Sequence, residues 1–156
     1  MQLKYLPSFV KRRGRITKRQ SKALEQLDNF LVTDVDDISE ALKNYSSCHL
    51  EIGFGNAKHL CKEAKLNKDT LYIGSEVYLS GIGSLLASII EEGIQNIRIY
   101  DQDIRLLLDN KPKEVFDKVV IICPDPWPKE KHHKRRLISD ESVSYTHLTL
   151  PTIMPV

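Results

Sequence analysis

The sequence predicts an α/β fold built on a parallel sheet, and three observations carry the prediction. From Cys48 onward, short apolar runs alternate with segments of helical period. Strands and helices alternating at this spacing form βαβ units with right-handed crossovers. Val119-Val120-Ile121-Ile122-Cys123 is an unbroken apolar run with no polar face, as expected of a strand buried on both sides. The 156 residues, 41% hydrophobic and 28% charged, have the balance of one soluble globular domain.

Taken in order, the chain opens with a basic arm, Phe9 to Thr17, leading into a helix that Thr17 or Ser21 can cap. Ala23, Leu24, Leu27, Phe30 and Leu31 follow at helical spacing. Thr33 to Ser46 reads as a linker with a short helix around Ile38–Leu42. The regular alternation then gives a strand at 48–52, a helix at 56–66, a strand at 70–77 and a helix at 79–91 ended by Gly93. A strand at 94–100, a short helix at 104–108 and a strand at 116–123 complete it.

The net charge of +2 conceals an asymmetry. Met1 to Lys22 holds eight Lys or Arg and no acid, and Lys129 to Arg136 holds five basic residues against one acid. Together these segments carry +12, so the rest carries −10. A basic arm and a basic loop on an acidic body suit a polyanion held at defined places, although a solvated arm has the same composition. No apolar run approaches membrane-span length, and no signal-peptide core follows Met1. The three cysteines, Cys48, Cys61 and Cys123, form no close pair, so neither a disulfide framework nor a zinc site is indicated and a reducing cytoplasm fits best. Cys123 reads as a buried thiol, and His49 and His59 as packing or solvent-facing residues.

The strand ends carry the chemistry. Gly53 and Gly55 allow a tight turn and close approach of a ligand at a helix start. Lys58 stands where a dinucleotide fingerprint wants a third small residue. Glu76, 23 residues beyond Gly53, can accept both hydroxyls of a ribose. Asp103 can accept from an adenine amino group, with Asp101 the weaker choice, and Glu51 and its neighbours favour a cationic sulfonium. Each acid alone reads equally as a helix cap. Together they have the layout of an S-adenosylmethionine site.

After the last strand, Pro124-Asp125-Pro126-Trp127-Pro128-Lys129 forms a stiff loop, because alternate prolines hold the backbone extended. It fixes an acid, the chain's one tryptophan and a lysine at a sheet edge where α/β folds bind ligands. Trp127 can wedge the loop against the sheet or stack on a base. Lys131, His132, His133, Lys134, Arg135 and Arg136 extend the loop as a basic run.

These stretches, with Leu50-Glu51-Ile52-Gly53-Phe54-Gly55, Gly74-Ser75-Glu76-Val77 and the basic arm Phe9–Thr17, resemble the bacterial tRNA (guanine-N7-)-methyltransferases from about Pro7 to Leu137. The proline-tryptophan loop is the specific part; the glycine turn is shared by all class I methyltransferases. The resemblance implies a Rossmann-like class I methyltransferase sheet, mostly parallel, with helices on both faces. It also implies S-adenosylmethionine as cofactor and tRNA as partner, with transfer to N7 of a variable-loop guanine. Glu51, Gly53, Gly55, Glu76, Asp103 and Asp125 would form the cofactor side, with Asp125 also the catalytic, base-orienting residue. Lys129 would contact the substrate, and Lys131 to Arg136 the RNA.

Two departures qualify the match. Ser75 replaces an apolar residue, which a strand end tolerates. Beyond Ser142 the family continues with further strands, another substrate-binding Asp and a late threonine/glutamate motif. Residues 143–156 have neither helical period nor family character, so the expectation is a truncated domain at 47–142, preceded by the arm, helix and linker at 1–46 and followed by a tail foreign to the fold. Two alternatives stay open: a methyltransferase acting on another RNA or a protein, and an inactive RNA-binding fragment.

Overall fold

A computed structural model describes residues 9, 14–109, 115–122 and 127–138. Asp125 and Cys123, most of the arm and the tail at 143–156 lie outside the described residues.

Helix α1 (Lys18–Leu24) starts at Thr17, whose side chain accepts from the Gln20 amide while the Gln20 side chain accepts from the Thr17 amide. This reciprocal capping box satisfies two amides that the first turn leaves without partners. Helix α2 (Val35–Leu42) begins earlier than its apolar pattern suggested, because Asp34 caps it through the Asp37 amide. Strands β1 (Ser47–Ile52), β2 (Thr70–Ser75), β3 (Ile97–Tyr100) and β4 (Lys118–Ile121) alternate with helices α3 (Lys58–Leu66), α4 (Leu79–Glu92) and α5 (Ile104–Leu108). The four strands form a parallel sheet in the order β3-β2-β1-β4. Phe30 and Val32 add a short bridge to the outer side of β3 through Ile99.

Helices cover both faces, so the core falls into two clusters. Leu60, Leu85, Leu86, Ile97 and Ile99 bind α3 and α4 to one face. Ile38, Leu50, Leu71, Ile73 and Leu107 bind α2 and α5 to the other. Each such fully buried aliphatic side chain contributes about 1.5–3 kcal/mol. Asn96, itself buried, donates its side-chain amide to the carbonyls of Ala64, Asn67 and Thr70 at 3.0, 3.1 and 2.9 Å. It thereby closes the end of α3 against the start of β2.

One expectation is corrected. β4 is not buried on both faces: Lys118 is exposed, Val119, Val120 and Ile121 are half-buried and Ile122 is 39% exposed. Among the described residues β4 pairs only with β1, and an edge strand has less of its surface covered than a central one. No helix among the described residues is long and apolar enough to cross a membrane.

Candidate functional site

The turn after β1 is held by backbone conformation. Gly53, Gly55 and Ala57 have φ of 72, 55 and 63°, three left-handed residues in five. Only glycine enters that region without a Cβ penalty, which explains the glycine pair and makes Ala57 a strained start for α3. The Gly53 amide donates to the Ser75 carbonyl at 2.8 Å, fastening the turn to the end of β2.

Glu76 follows β2 and is 8% exposed. One carboxylate oxygen accepts from the Gly55 amide at 3.2 Å; the other accepts from Val77 and Tyr78 at 2.8 and 3.3 Å. This carboxylate therefore joins the glycine turn to the entry of α4, and the oxygen facing Gly55 keeps a lone pair for an incoming hydroxyl. Asp103 caps α5 by accepting from the Arg105 amide at 3.1 Å. The same carboxylate is gripped by the buried Arg105 guanidinium, Nε to Oδ1 at 3.1 Å and Nη2 to Oδ2 at 2.7 Å.

Between these groups, at the carboxyl ends of the strands, lies a cavity of about 190 Å³ whose walls include Gly53, Glu76, Val77, Asp103, Ile104 and Ile121. An apolar slot with two carboxylates on its rim fits an adenosine moiety, which offers a flat purine, ribose hydroxyls and an amino group. Phe9, from the arm, also lines it. Of the residues assigned to cofactor binding, Gly53, Glu76 and Asp103 meet here, and Gly55 adjoins through its hydrogen bond to Glu76.

Glu51 sits apart from this lining. It is 3% exposed, and its Oε2 lies 2.7 Å from Nδ1 of His59 near the start of α3. Its Oε1 is buried without a hydrogen-bond partner among the described residues. Burial raises the Glu51 carboxyl above its ordinary value of 4.5, while His59 acts in the opposite direction. His59, expected to pack or face solvent, is half-exposed and also hydrogen-bonded to Glu51; its position at a helix start eight residues after the acid was the signal available. His49 packs edge-on against Tyr72 with ring centroids 5.3 Å apart. Burial pushes the thiols of Cys48 and Cys61 up to about 12 and about 11, so neither is a ready nucleophile.

The basic run forms a short 3₁₀ turn, Glu130–Arg135, rather than an open strand of charges. Trp127 is clasped by its own loop: His132 meets it edge-on at 5.4 Å, Arg135 lies 5.1 Å from its ring centre and the Arg136 guanidinium donates to its carbonyl. Lys129, Lys131, His133, Lys134 and Arg136 are exposed, whereas His132 and Arg135 are half-buried against the ring. The turn thus presents its lysines outward and uses part of its charge for its own shape.

Comparison with known proteins gives this arrangement a lineage. The family described as "Putative methyltransferase" matches residues 45–152. The chain belongs to this methyltransferase family. The tRNA (guanine-N(7)-)-methyltransferase of Neorickettsia sennetsu is 42% identical over 135 residues, covering 86% of the chain and 59% of that relative. The enzyme of the same name from Pseudoalteromonas atlantica is 38% identical over 148 residues, covering 90% of the chain and 61% of the relative. The chain therefore spans about 60% of the length of these curated relatives. Among solved structures, an antibiotic-related methyltransferase superposes with a TM-score of 0.50 at 22% identity, over 57% of this chain and 46% of that one, a likeness of fold. The parallel α/β sheet is the one expected from the strand–helix alternation, and its Rossmann-like methyltransferase form is the one that the family resemblance implied.

Proposed function

We propose that the protein carries the cofactor half and an RNA-contacting loop of a tRNA (guanine-N7-)-methyltransferase, which uses S-adenosylmethionine to methylate N7 of a variable-loop guanine. The observation that carries this reading is the pairing of Glu76 and Asp103 on one apolar cavity, in a chain about 40% identical to relatives of that name. In this reading Glu76 holds the ribose, Asp103 the adenine amino group, and Gly53 and Gly55 let the backbone approach. Glu51 adds negative charge beneath the turn. When bound, S-adenosylmethionine supplies a methyl group activated by a positively charged sulfur.

Guanine N7 has a lone pair and no proton, so the protein needs no general base. Its tasks are to orient the purine and to offset the positive charge that develops on it. Asp125 takes both tasks by accepting from the guanine N1–H and 2-amino groups, with Lys129 at the substrate beside it. Lys131, His132, His133, Lys134, Arg135 and Arg136 form the RNA side, where the exposed lysines and Arg136 hold phosphates and Trp127 with His132 and Arg135 maintains the turn.

The test is to incubate the protein with bulk tRNA and methyl-labelled S-adenosylmethionine, then digest to nucleosides. Label in 7-methylguanosine is expected. Label in another nucleoside or in protein refutes the substrate, and salt-sensitive tRNA binding without saturable cofactor binding refutes the enzymatic reading altogether. Replacing Lys131 and Lys134 by alanine should lower the slope of log affinity against log salt by about one unit each.

A further inference from the structure

We infer that Arg105 is a positioning residue that tethers the basic turn to the adenine-side carboxylate, so that the RNA-facing and cofactor-facing parts of the site are held as one unit; this rests on the reading proposed above. The guanidinium is a rigid planar fork with five donors. Two of its nitrogens clasp Asp103 in the bidentate manner, at 3.1 and 2.7 Å. The third, Nη1, donates to the Lys134 carbonyl at 3.4 Å. The Arg105 side chain is 8% exposed and that of Asp103 12%, so both charges have been taken out of water to make this junction.

A helix cap alone does not require it, because Asp103 already accepts from the Arg105 amide. The guanidinium adds a contact that crosses 29 positions of sequence, from the start of α5 to the last part of the 3₁₀ turn. The anchored residue, Lys134, is one of the exposed lysines of the basic run, and Leu137, just beyond the turn, lines the same cavity as Asp103. A ligand group that draws on Asp103 therefore acts on the fork, and the fork acts on the backbone that presents the lysines. A lysine at position 105 can keep an ion pair with Asp103, but its single compact ammonium cannot grip both carboxylate oxygens and reach Lys134 as well.

The experiment compares the parent with Arg105→Lys and Arg105→Gln. Hydrogen exchange is followed at the His132 and Arg136 amides, which donate within the turn to Lys129 and His133 at 2.8 and 3.0 Å. Both variants should exchange about tenfold faster there, with strand β1 unchanged. The affinity for S-adenosylhomocysteine is then measured with and without tRNA. The parent should show a coupling of about fivefold or more, and Arg105→Lys, which keeps the charge and the fold, a coupling within about twofold of unity. A purely structural role would weaken each affinity and leave the coupling intact. Unchanged exchange in both variants, or unchanged coupling in Arg105→Lys, overturns the inference. If the parent binds neither ligand, the functional reading falls, and the exchange result alone decides for or against the tether.

Discussion

Replacing Gly81 by alanine tests how closely the glycine turn is built. Gly81 lies in the first turn of α4, and a Cβ placed on it would stand 2.8 Å from the Gly55 carbonyl oxygen and 3.2 Å from Cγ of Glu76. Backbone cannot yield as a side-chain tip does, so the glycine turn and α4 must part by roughly half an ångström to restore ordinary contact. Overpacking of this kind costs about 1–3 kcal/mol, against a gain of about 1 kcal/mol from alanine's helix propensity. The net loss is about 0–2 kcal/mol, a fall of up to roughly 8 °C in Tm for a chain of this size. The turn it displaces carries Gly53, Gly55 and the hydrogen bond to Glu76, so S-adenosylhomocysteine should bind about tenfold more weakly, or about 1.4 kcal/mol. Calorimetric titration and thermal scanning read the two effects separately. Gly93→Ala is the control: that residue has φ of 64° with nothing near its Cβ position, so alanine there costs about 1 kcal/mol of stability and should leave binding alone. Binding by Gly81→Ala within about twofold of the parent, or equal weakening by Gly93→Ala, would refute the reasoning.

Other outcomes follow from groups already described. Asn96→Asp turns two donors into acceptors facing three carbonyl oxygens and should cost about 3–5 kcal/mol at neutral pH in urea unfolding. Part of that loss should return at acid pH, relative to the parent, as the new carboxyl regains a proton. Glu51 has a carboxyl raised by burial, so between its unfolded and folded values the native state holds the extra proton. Its contribution to stability must therefore fall as pH rises through that window, and Glu51→Gln should show a flatter stability–pH curve above 4.5. Trp127→Ala removes the ring that His132 and Arg135 pack against; the turn amides should exchange faster while the thermal midpoint of the sheet stays unchanged.

The strand–helix succession was legible because period and punctuation agreed: Thr17 starts one helix and Gly93 ends another, where such residues should. The acids at 76 and 103 were legible for the same reason, since a carboxylate just past a buried strand stands at the sheet edge. The partners of those acids were not. Arg105 and His59 matter through the directions of long side chains around a turn, which no periodicity encodes. Exposure of β4 was misread because its apolar residues match a central strand, and only the neighbours of a strand decide its burial. Charge is legible by segment but not by partner: in space, Arg19 pairs with Glu91 of α4 and Arg135 with Trp127, so some basic residues hold the fold together.

The strand order has a consequence of its own. After β1 the chain winds outward to β2 and β3 on one side, then returns to lay β4 on the other, so the direction of winding reverses between β1 and β4. Just past these two strands Gly53 and the Ile122 carbonyl stand side by side, 3.6 Å from a Cβ placed on the glycine, and both residues line the cavity. The crevice thus lies where the winding reverses, at the carboxyl ends of the strands. Glu76 and Asp103 give that hollow its selectivity and also fasten the glycine turn and Arg105 beside it, so the residues that choose a ligand are the ones that hold the rim in shape.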